Sequence, residues 1–243
     1  MLILGIDTAS VTASAALVEG GKLIGEQACS GFAPSGLGSP NRRGNHAEIL
    51  LPLIDRLLGR AGLTLAEISA LAVAIGPGSF TGLRIGLSTV KGLAYGWEIP
   101  VVGIPTLAAV AGRVNDCEGF ICPFLDARKK EVYAALFHRK DGRLERVTDD
   151  LVSAPERIVE SVRCRLNGGP CLFVGDATRT YANAIKERLG EQGLLTVGDS
   201  YPSTAFSVAR LAEERVRREE FDPVGPLVPL YLRPSEAELK KKS

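Results

Sequence analysis

The chain has 243 residues, of which 45% are hydrophobic and 23% charged, with 29 Lys and Arg against 28 Asp and Glu. That length suits one large domain or two smaller lobes, and the near-zero net charge argues against a protein that grips nucleic acid unaided. Any role on RNA needs a partner to carry the phosphate contacts. The five cysteines (Cys29, Cys117, Cys122, Cys164, Cys171) form no Cys-x-x-Cys pair, which points to reduced thiols and a cytoplasmic protein. The longest apolar stretch, residues 99–112, is broken by Pro100 and Pro105 and is too short to span a bilayer.

In chain order, residues 2–6 read as a β-branched strand ending at Asp7-Thr8-Ala9-Ser10, and not as a signal peptide. Runs at 14–17 and 22–28, joined at Gly20-Gly21, complete a three-strand meander. Residues 30–45 are rich in Gly, Ser and Pro and read as a long loop. Asn45 then caps a helix over 46–58, in which Ala47, Leu50, Leu51, Ile54, Leu57 and Leu58 follow helical spacing. Ile49 and Leu53 widen its apolar surface beyond one stripe, so the helix is either deeply buried or shared with another chain.

A buried strand over 71–75 leads into the glycine-rich turn Gly76-Pro77-Gly78-Ser79 and a helix over 82–96. A short strand at 101–103 follows, and Pro105-Thr106 opens another helix. The second half repeats the theme. A strand over 121–125 ends at Asp126, a strand over 131–137 reaches the turn Asp141-Gly142, and a strand over 171–174 ends at Gly175-Asp176 before a helix over 181–189. Ser203-Thr204 caps a final amphipathic helix that Asp222-Pro223 ends. The repetition predicts a duplicated α/β fold: an N-terminal lobe over 1–108 with 204–233 packing back on it, a C-terminal lobe over 109–203, and a charged tail over 234–243 that includes Lys240-Lys241-Lys242.

Three features carry candidate chemistry. The turn at Gly76, Gly78, Ser79 and Thr81 could offer helix N-terminal amides to an anion, although it is neither a Walker A loop nor Gly-x-Gly-x-x-Gly. Its other reading is a tight strand-to-helix turn packed closely on its neighbours. Next, Gly82, Gly86, Gly92 and Gly96 recur along the following helix, each costing about 1 kcal/mol against alanine, so a closely approaching helix is expected. Together with the 46–58 helix this predicts an interface with another chain through His46, Ile49, Leu50, Leu53, Leu57, Gly82, Gly86 and Lys91. Finally, Asp7 with Thr8, and Asp126 with Arg128, stand at equivalent strand tips. Such carboxylates could hold a divalent metal bridged to nucleotide phosphates, or merely cap their own turns. With two histidines, and Leu50 four residues after His46, neither a His-x-x-x-His metal pair nor a Ser-His-Asp arrangement can be built.

Several segments together carry a resemblance: Ile3-Leu4-Gly5-Ile6-Asp7-Thr8-Ala9, residues 46–52, residues 76–91 with Gly76-Pro77-Gly78-Ser79-Phe80-Thr81-Gly82-Leu83-Arg84 at their head, Leu125-Asp126-Ala127-Arg128, Glu131-Val132-Tyr133, Gly175-Asp176 and Pro229-Leu230-Tyr231-Leu232-Arg233. Over residues 1–233 the chain resembles the TsaB family. The resemblance implies an actin-like ATPase fold of two duplicated lobes, and a non-catalytic subunit in making threonylcarbamoyladenosine in tRNA. It implies TsaD, the catalytic paralogue with metal-binding histidines, and TsaE as partners, a homodimer through the first two helices, and contact with tRNA only through the complex. His46 stands where the paralogue begins its His-x-x-x-His motif, and Leu50 where the second ligand would be. No catalytic or metal residue and no cofactor is then expected here; ATP, ADP and divalent metal would belong to partner subunits. The alternatives are an actin-fold ATP-binding kinase or ATPase, and, behind it, a metallopeptidase.

Overall fold

A computed structural model describes residues 1–30, 46–114, 117–196 and 203–233. The chain opens with strands β1 (Leu2–Asp7), β2 (Thr12–Glu19) and β3 (Lys22–Ser30), then helix α1 (His46–Ala61), β4 (Ala70–Gly76), α2 (Phe80–Trp97), β5 (Val101–Pro105) and α3 (Thr106–Gly112). There follow β6 (Gly119–Asp126), β7 (Val132–Ala134), β8 (Phe137–Lys140), β9 (Arg143–Arg146), β10 (Leu151–Ser153), α4 (Pro155–Arg163), β11 (Cys171–Val174), α5 (Ala182–Leu189), β12 (Gly193–Leu195) and α6 (Ala205–Arg217). These elements divide into two compact units, one from Met1–Ala109 and Pro202–Leu230, the other from Val110–Tyr201 and Tyr231–Ser243.

The first unit is built on a five-stranded sheet of order β3-β2-β1-β4-β5. Strands β1, β2 and β3 form the expected antiparallel meander, while β1, β4 and β5 run parallel. Every residue of β1 is buried, as expected for a central strand covered on both faces. Because strand side chains alternate, Leu2, Leu4 and Ile6 join one core cluster and Ile3 another. On the first face lie Leu50, Leu53, Ile54 and Leu57 of α1 with Leu87, Val90 and Ala94 of α2. On the second lie Val208, Ala209, Ala212 and Val216 of α6. Each buried large side chain contributes about 2 kcal/mol, so most of the wide apolar surface of α1 is spent on its own sheet, with Leu51 left half exposed.

The edge strand β5 is covered by the chain leaving α6. The Asp222 amide donates to the Val101 carbonyl at 2.9 Å, the Asp222 carboxylate accepts from the Gly103 amide at 2.7 Å, and Arg215 pairs with that carboxylate at 3.0 Å. Covering an edge in this way blocks unwanted strand pairing. Burial pushes the Asp222 carboxyl up, but hydrogen bonds from Arg215 and Gly103, with the arginine charge, prevail and hold it below its ordinary value.

The second unit has a seven-stranded sheet along the path β10-β7-β6-β11-β12, with β8 and β9 joined through β6. As in the first unit, an antiparallel hairpin leads and the next long crossover returns parallel: β6 pairs antiparallel with β7, and β11 pairs parallel with β6. One expectation is corrected. The strand read over 131–137 is two strands, because β7 pairs with the end of β6 and with β10 whereas β8 pairs with the start of β6 and with β9. Among the described residues no helix is long and apolar enough to cross a membrane. The predicted cap at Asn45, nearly all of the 30–45 loop and the 234–243 tail lie outside the described residues.

The contact between β1 and α6 is close enough to test. A Cβ on Gly5 would lie 2.3 Å from the Ala205 carbonyl oxygen and 2.8 Å from the Ala209 Cβ. Gly5→Ala should cost about 1–3 kcal/mol through overpacking, lowering the melting temperature by roughly 2–4 °C per kcal/mol, as read by thermal circular dichroism.

Candidate functional site

The glycine turn is positioned by the strand it follows. Gly76 ends β4 at φ +118°, a left-handed-side conformation that a side chain would strain, and the Gly76-Pro77 peptide is cis. Its amide donates to the Thr106 hydroxyl at 3.1 Å. A Cβ there would meet the Leu230 carbonyl oxygen at 2.6 Å, and the Leu230 amide donates to the Ile75 carbonyl at 2.7 Å. The returning chain thus occupies one side of the turn. The β1 tip occupies the other, since a Cβ on Gly78 would lie 2.5 Å from the Ala9 carbonyl oxygen, which accepts the Ser79 amide at 2.7 Å.

Ser79 caps α2, its hydroxyl accepting from the Gly82 amide at 3.2 Å. Thr8 then fits against the glycines that follow. Its hydroxyl donates to the Gly82 carbonyl at 2.8 Å. A Cβ on Gly82 would stand 2.0 Å from the Thr8 carbonyl oxygen, and one on Gly86 would stand 2.2 Å from its hydroxyl. Gly92 and Gly96 differ, for a Cβ on either meets nothing within 4 Å. So the first two glycines admit β1 and the last two leave the surface of α2 open.

Asp7 is almost fully buried. One carboxylate oxygen accepts from the Ala9 amide at 2.7 Å, and the other accepts from the Thr204 hydroxyl at the start of α6. Burial pushes its carboxyl above the ordinary value, against the lowering pull of those two hydrogen bonds. Thr204 is the N-cap residue of α6, its carbonyl accepting from the Val208 amide at 2.9 Å and the Ser203 hydroxyl accepting from the Ala205 amide at 3.4 Å, but the Thr204 hydroxyl is committed to Asp7 and not to its own helix.

In the second unit Asp126 plays the matching local role. Its carboxylate accepts from the Arg128 amide at 2.8 Å, as Asp7 accepts from the residue two ahead of it. The Arg128 guanidinium lies 3.2 Å away on the same carboxylate, and the Asp126 amide donates to the Asp176 carboxylate at 2.9 Å. Burial raises the Asp176 carboxyl above its ordinary value, and the charge on Asp126 adds to that, while the Asp126 amide opposes it. Both strand-tip aspartates fold their own turns.

In the first unit most groups of the predicted nucleotide or anion cleft already have partners within the protein. The Ser79 and Gly82 amides and both Asp7 oxygens have protein partners, the Gly78 approach is filled by Ala9, and Thr81 is exposed.

The residues of the predicted interface differ in how much of each is exposed. Leu50, Leu53 and Leu57 are at most 2% exposed and belong to the core. Gly82 and Gly86 face Thr8. Lys91 donates to the Gly225 carbonyl at 2.8 Å, Ile49 packs on the core, and the His46 ring lies 3.3 Å from the Val11 carbonyl. What α1 and α2 leave open is Leu51 (50% exposed), Tyr95 (68%) and Trp97 (51%). The sequence signal for these was weak, since Leu51 sits within the helical pattern and the two aromatics fall at its ragged end.

Two tests follow from this geometry. Gly86→Ala should lower stability by about 1–3 kcal/mol, whereas Gly92→Ala should raise it by roughly 0.5–1 kcal/mol, both read from denaturant unfolding. For Asp7, a folded pKa raised above the unfolded one means the folded state binds the proton more tightly. Its contribution is then full below the unfolded value of 3.8 and is lost as pH rises through the folded value. Asp7→Asn, which keeps the acceptor, should gain stability relative to the parent as pH rises from about 4 to 7, a trend that unfolding curves at stepped pH will show.

Comparison with known proteins places this arrangement. A protein-family model described as TsaD, tRNA N6-adenosine threonylcarbamoyltransferase, matches residues 40–241. The tRNA threonylcarbamoyladenosine biosynthesis protein TsaB of Bacillus subtilis is 32% identical over 99% of this chain and 97% of its own, and that of Escherichia coli is 32% identical over 96% and 95%. Among solved structures, YeaZ from Pseudomonas aeruginosa superposes with a TM-score of 0.78 at 27% identity, covering 95% of this chain and 99% of that one. A ROK hexokinase from Thermus thermophilus gives 0.52 at 14% identity, covering 89% of this chain and 100% of that one, a likeness of fold alone. The fold is that of the actin-like ATPases, as the sequence reading expected. With a near-full-length relationship at this identity, the chain belongs to the TsaB family.

Proposed function

We propose that this chain works in the biosynthesis of threonylcarbamoyladenosine in tRNA, as a non-catalytic subunit that binds and activates the transferase TsaD. The observation that carries the reading is the relationship to the Bacillus subtilis protein over 99% of the chain. Supporting it, the position one helical turn after His46 is the fully buried Leu50, so α1 offers no second metal ligand there. The amides and carboxylate of the first unit's turn also serve packing, so nucleotide and divalent metal belong to the partner subunits on this reading.

Assembly falls to the surface that α1 and α2 leave open. Leu51, Tyr95 and Trp97 are large and exposed, of the residue types that anchor interfaces. They dock TsaD, or a second copy of this chain when TsaD is absent; TsaE joins the assembled complex, and tRNA is met only there. The protein works in the cytoplasm.

Reconstitution tests the reading. The chain alone should yield no modified tRNA, and TsaD supplied with threonylcarbamoyl-adenylate should modify tRNA only when this chain is added. Modification by the chain alone, or by TsaD undiminished without it, would overturn the proposal. Leu51→Arg with Trp97→Glu should abolish co-elution with TsaD while changing unfolding stability by no more than about 0.5 kcal/mol, as surface substitutions do.

A further inference from the structure

Helix α2 ends in a turn that suits a different residue from the one it holds. The Glu98 amide donates to the Ala94 carbonyl, and the Ile99 amide donates to the same carbonyl at 3.2 Å. A helix closed in this way puts the residue after its last turn in the left-handed region, where glycine is the usual occupant. That residue is Glu98, at φ +54°. Ala94 and Ile99 are both buried in one core cluster, so apolar packing anchors the turn on either side of the glutamate.

Glutamate is disfavoured there twice. A side chain in the left-handed region is strained where glycine is not. A negative charge at a helix C-terminus also meets the negative end of the helix dipole, and the last turn of α2 holds no basic residue to offset it. Glu98 is exposed and, among the described residues, its carboxylate has no hydrogen-bonding or ion-pair partner. Folding alone would favour glycine, and strained backbone persists where function requires it. The residues before it are open as well. Tyr95, Gly96, Trp97 and Glu98 are exposed in succession, Tyr95 by 68% and Trp97 by 51%, and a Cβ on Gly96 meets nothing within 4 Å.

We infer that Glu98 is a specificity contact of the docking face proposed above, pairing with an arginine or lysine that TsaD presents beside Trp97; this rests on that functional reading. Aromatic residues anchor an interface by burial, while charges at its rim steer association and select the partner. An unpartnered carboxylate at the edge of an aromatic patch favours a cationic surface and works against an acidic one. The turn that carries it is already closed by two amides on one carbonyl, which lowers the ordering cost of the contact.

The test measures the affinity of the full chain for TsaD across a salt series. Glu98→Gln keeps the side chain and removes the charge, whereas Glu98→Gly removes both and relieves the strain. At about 0.1 M salt each should weaken binding roughly threefold to fivefold, as loss of a rim ion pair does. The difference from the parent should vanish near 1 M salt, where the screening length is about 3 Å. Glu98→Gly should also raise the denaturant midpoint of the isolated chain. Unchanged affinity in both variants would overturn the inference, and so would weakening in the glycine variant alone, which would point to the backbone and not the charge. A lowered midpoint in Glu98→Gly would overturn it too, by giving the glutamate a structural role. If the unaltered chain binds no TsaD at any salt, the functional proposal falls as well, so the two failures are distinguishable.

Discussion

The first unit is organised around the contact of Thr8 with a helix that has no side chains where the two touch. Gly82 and Gly86 let the end of β1 come so near that a methyl at either position would overlap Thr8 by more than an ångström relative to ordinary contact. Glycine in a helix interior is costly, and the return here is a Thr8 hydroxyl bonded to the Gly82 carbonyl, and a cap whose serine sits beside Ala9. Leu230 seals the other side of the same turn. Strand β4, helix α2, the β1 tip and the returning chain are fixed relative to one another by contacts made almost wholly through backbone.

That constraint decides what the site can do. Anion-binding loops work by leaving amides unpaired and backbone accessible. Here the Ser79 and Gly82 amides have partners, and the space at Gly76 and Gly78 is filled. Asp7, which in isolation looks like a metal ligand, joins β1 to the start of α6 and is pushed toward its neutral form by burial. An actin-like frame is thus kept while its polar groups serve cohesion. Leu51 of α1 and Tyr95 and Trp97 of α2 stay exposed.

Much of this was legible in the sequence, for reasons that differ by element. The β1–β2–β3 meander, β4 and α2 follow from periodicity and from Gly20-Gly21, and the duplication shows because both units repeat strand, aspartate, hairpin and glycine turn. The cost of the helix glycines was legible, but not the partner that compensates it. Local spacing cannot tell a neighbouring chain from Thr8, 74 residues earlier than Gly82. The N-cap position of Thr204 was legible for α6, but not the partner of its hydroxyl, Asp7, which is 197 residues distant in sequence. The division of β7 from β8 arises from pairing with different partners, which no single-strand pattern encodes. The left-handed Glu98 is likewise invisible, because glutamate carries no turn signal.

The central proposal is that the turn after β4, closed by packing, is not a phosphate site. The most direct measurement is a titration of the isolated chain with magnesium-ATP, followed through its backbone amide resonances. The account predicts no saturable shift in the amides of Thr8, Gly78, Ser79 or Gly82. Saturable shifts centred on those four residues would contradict it.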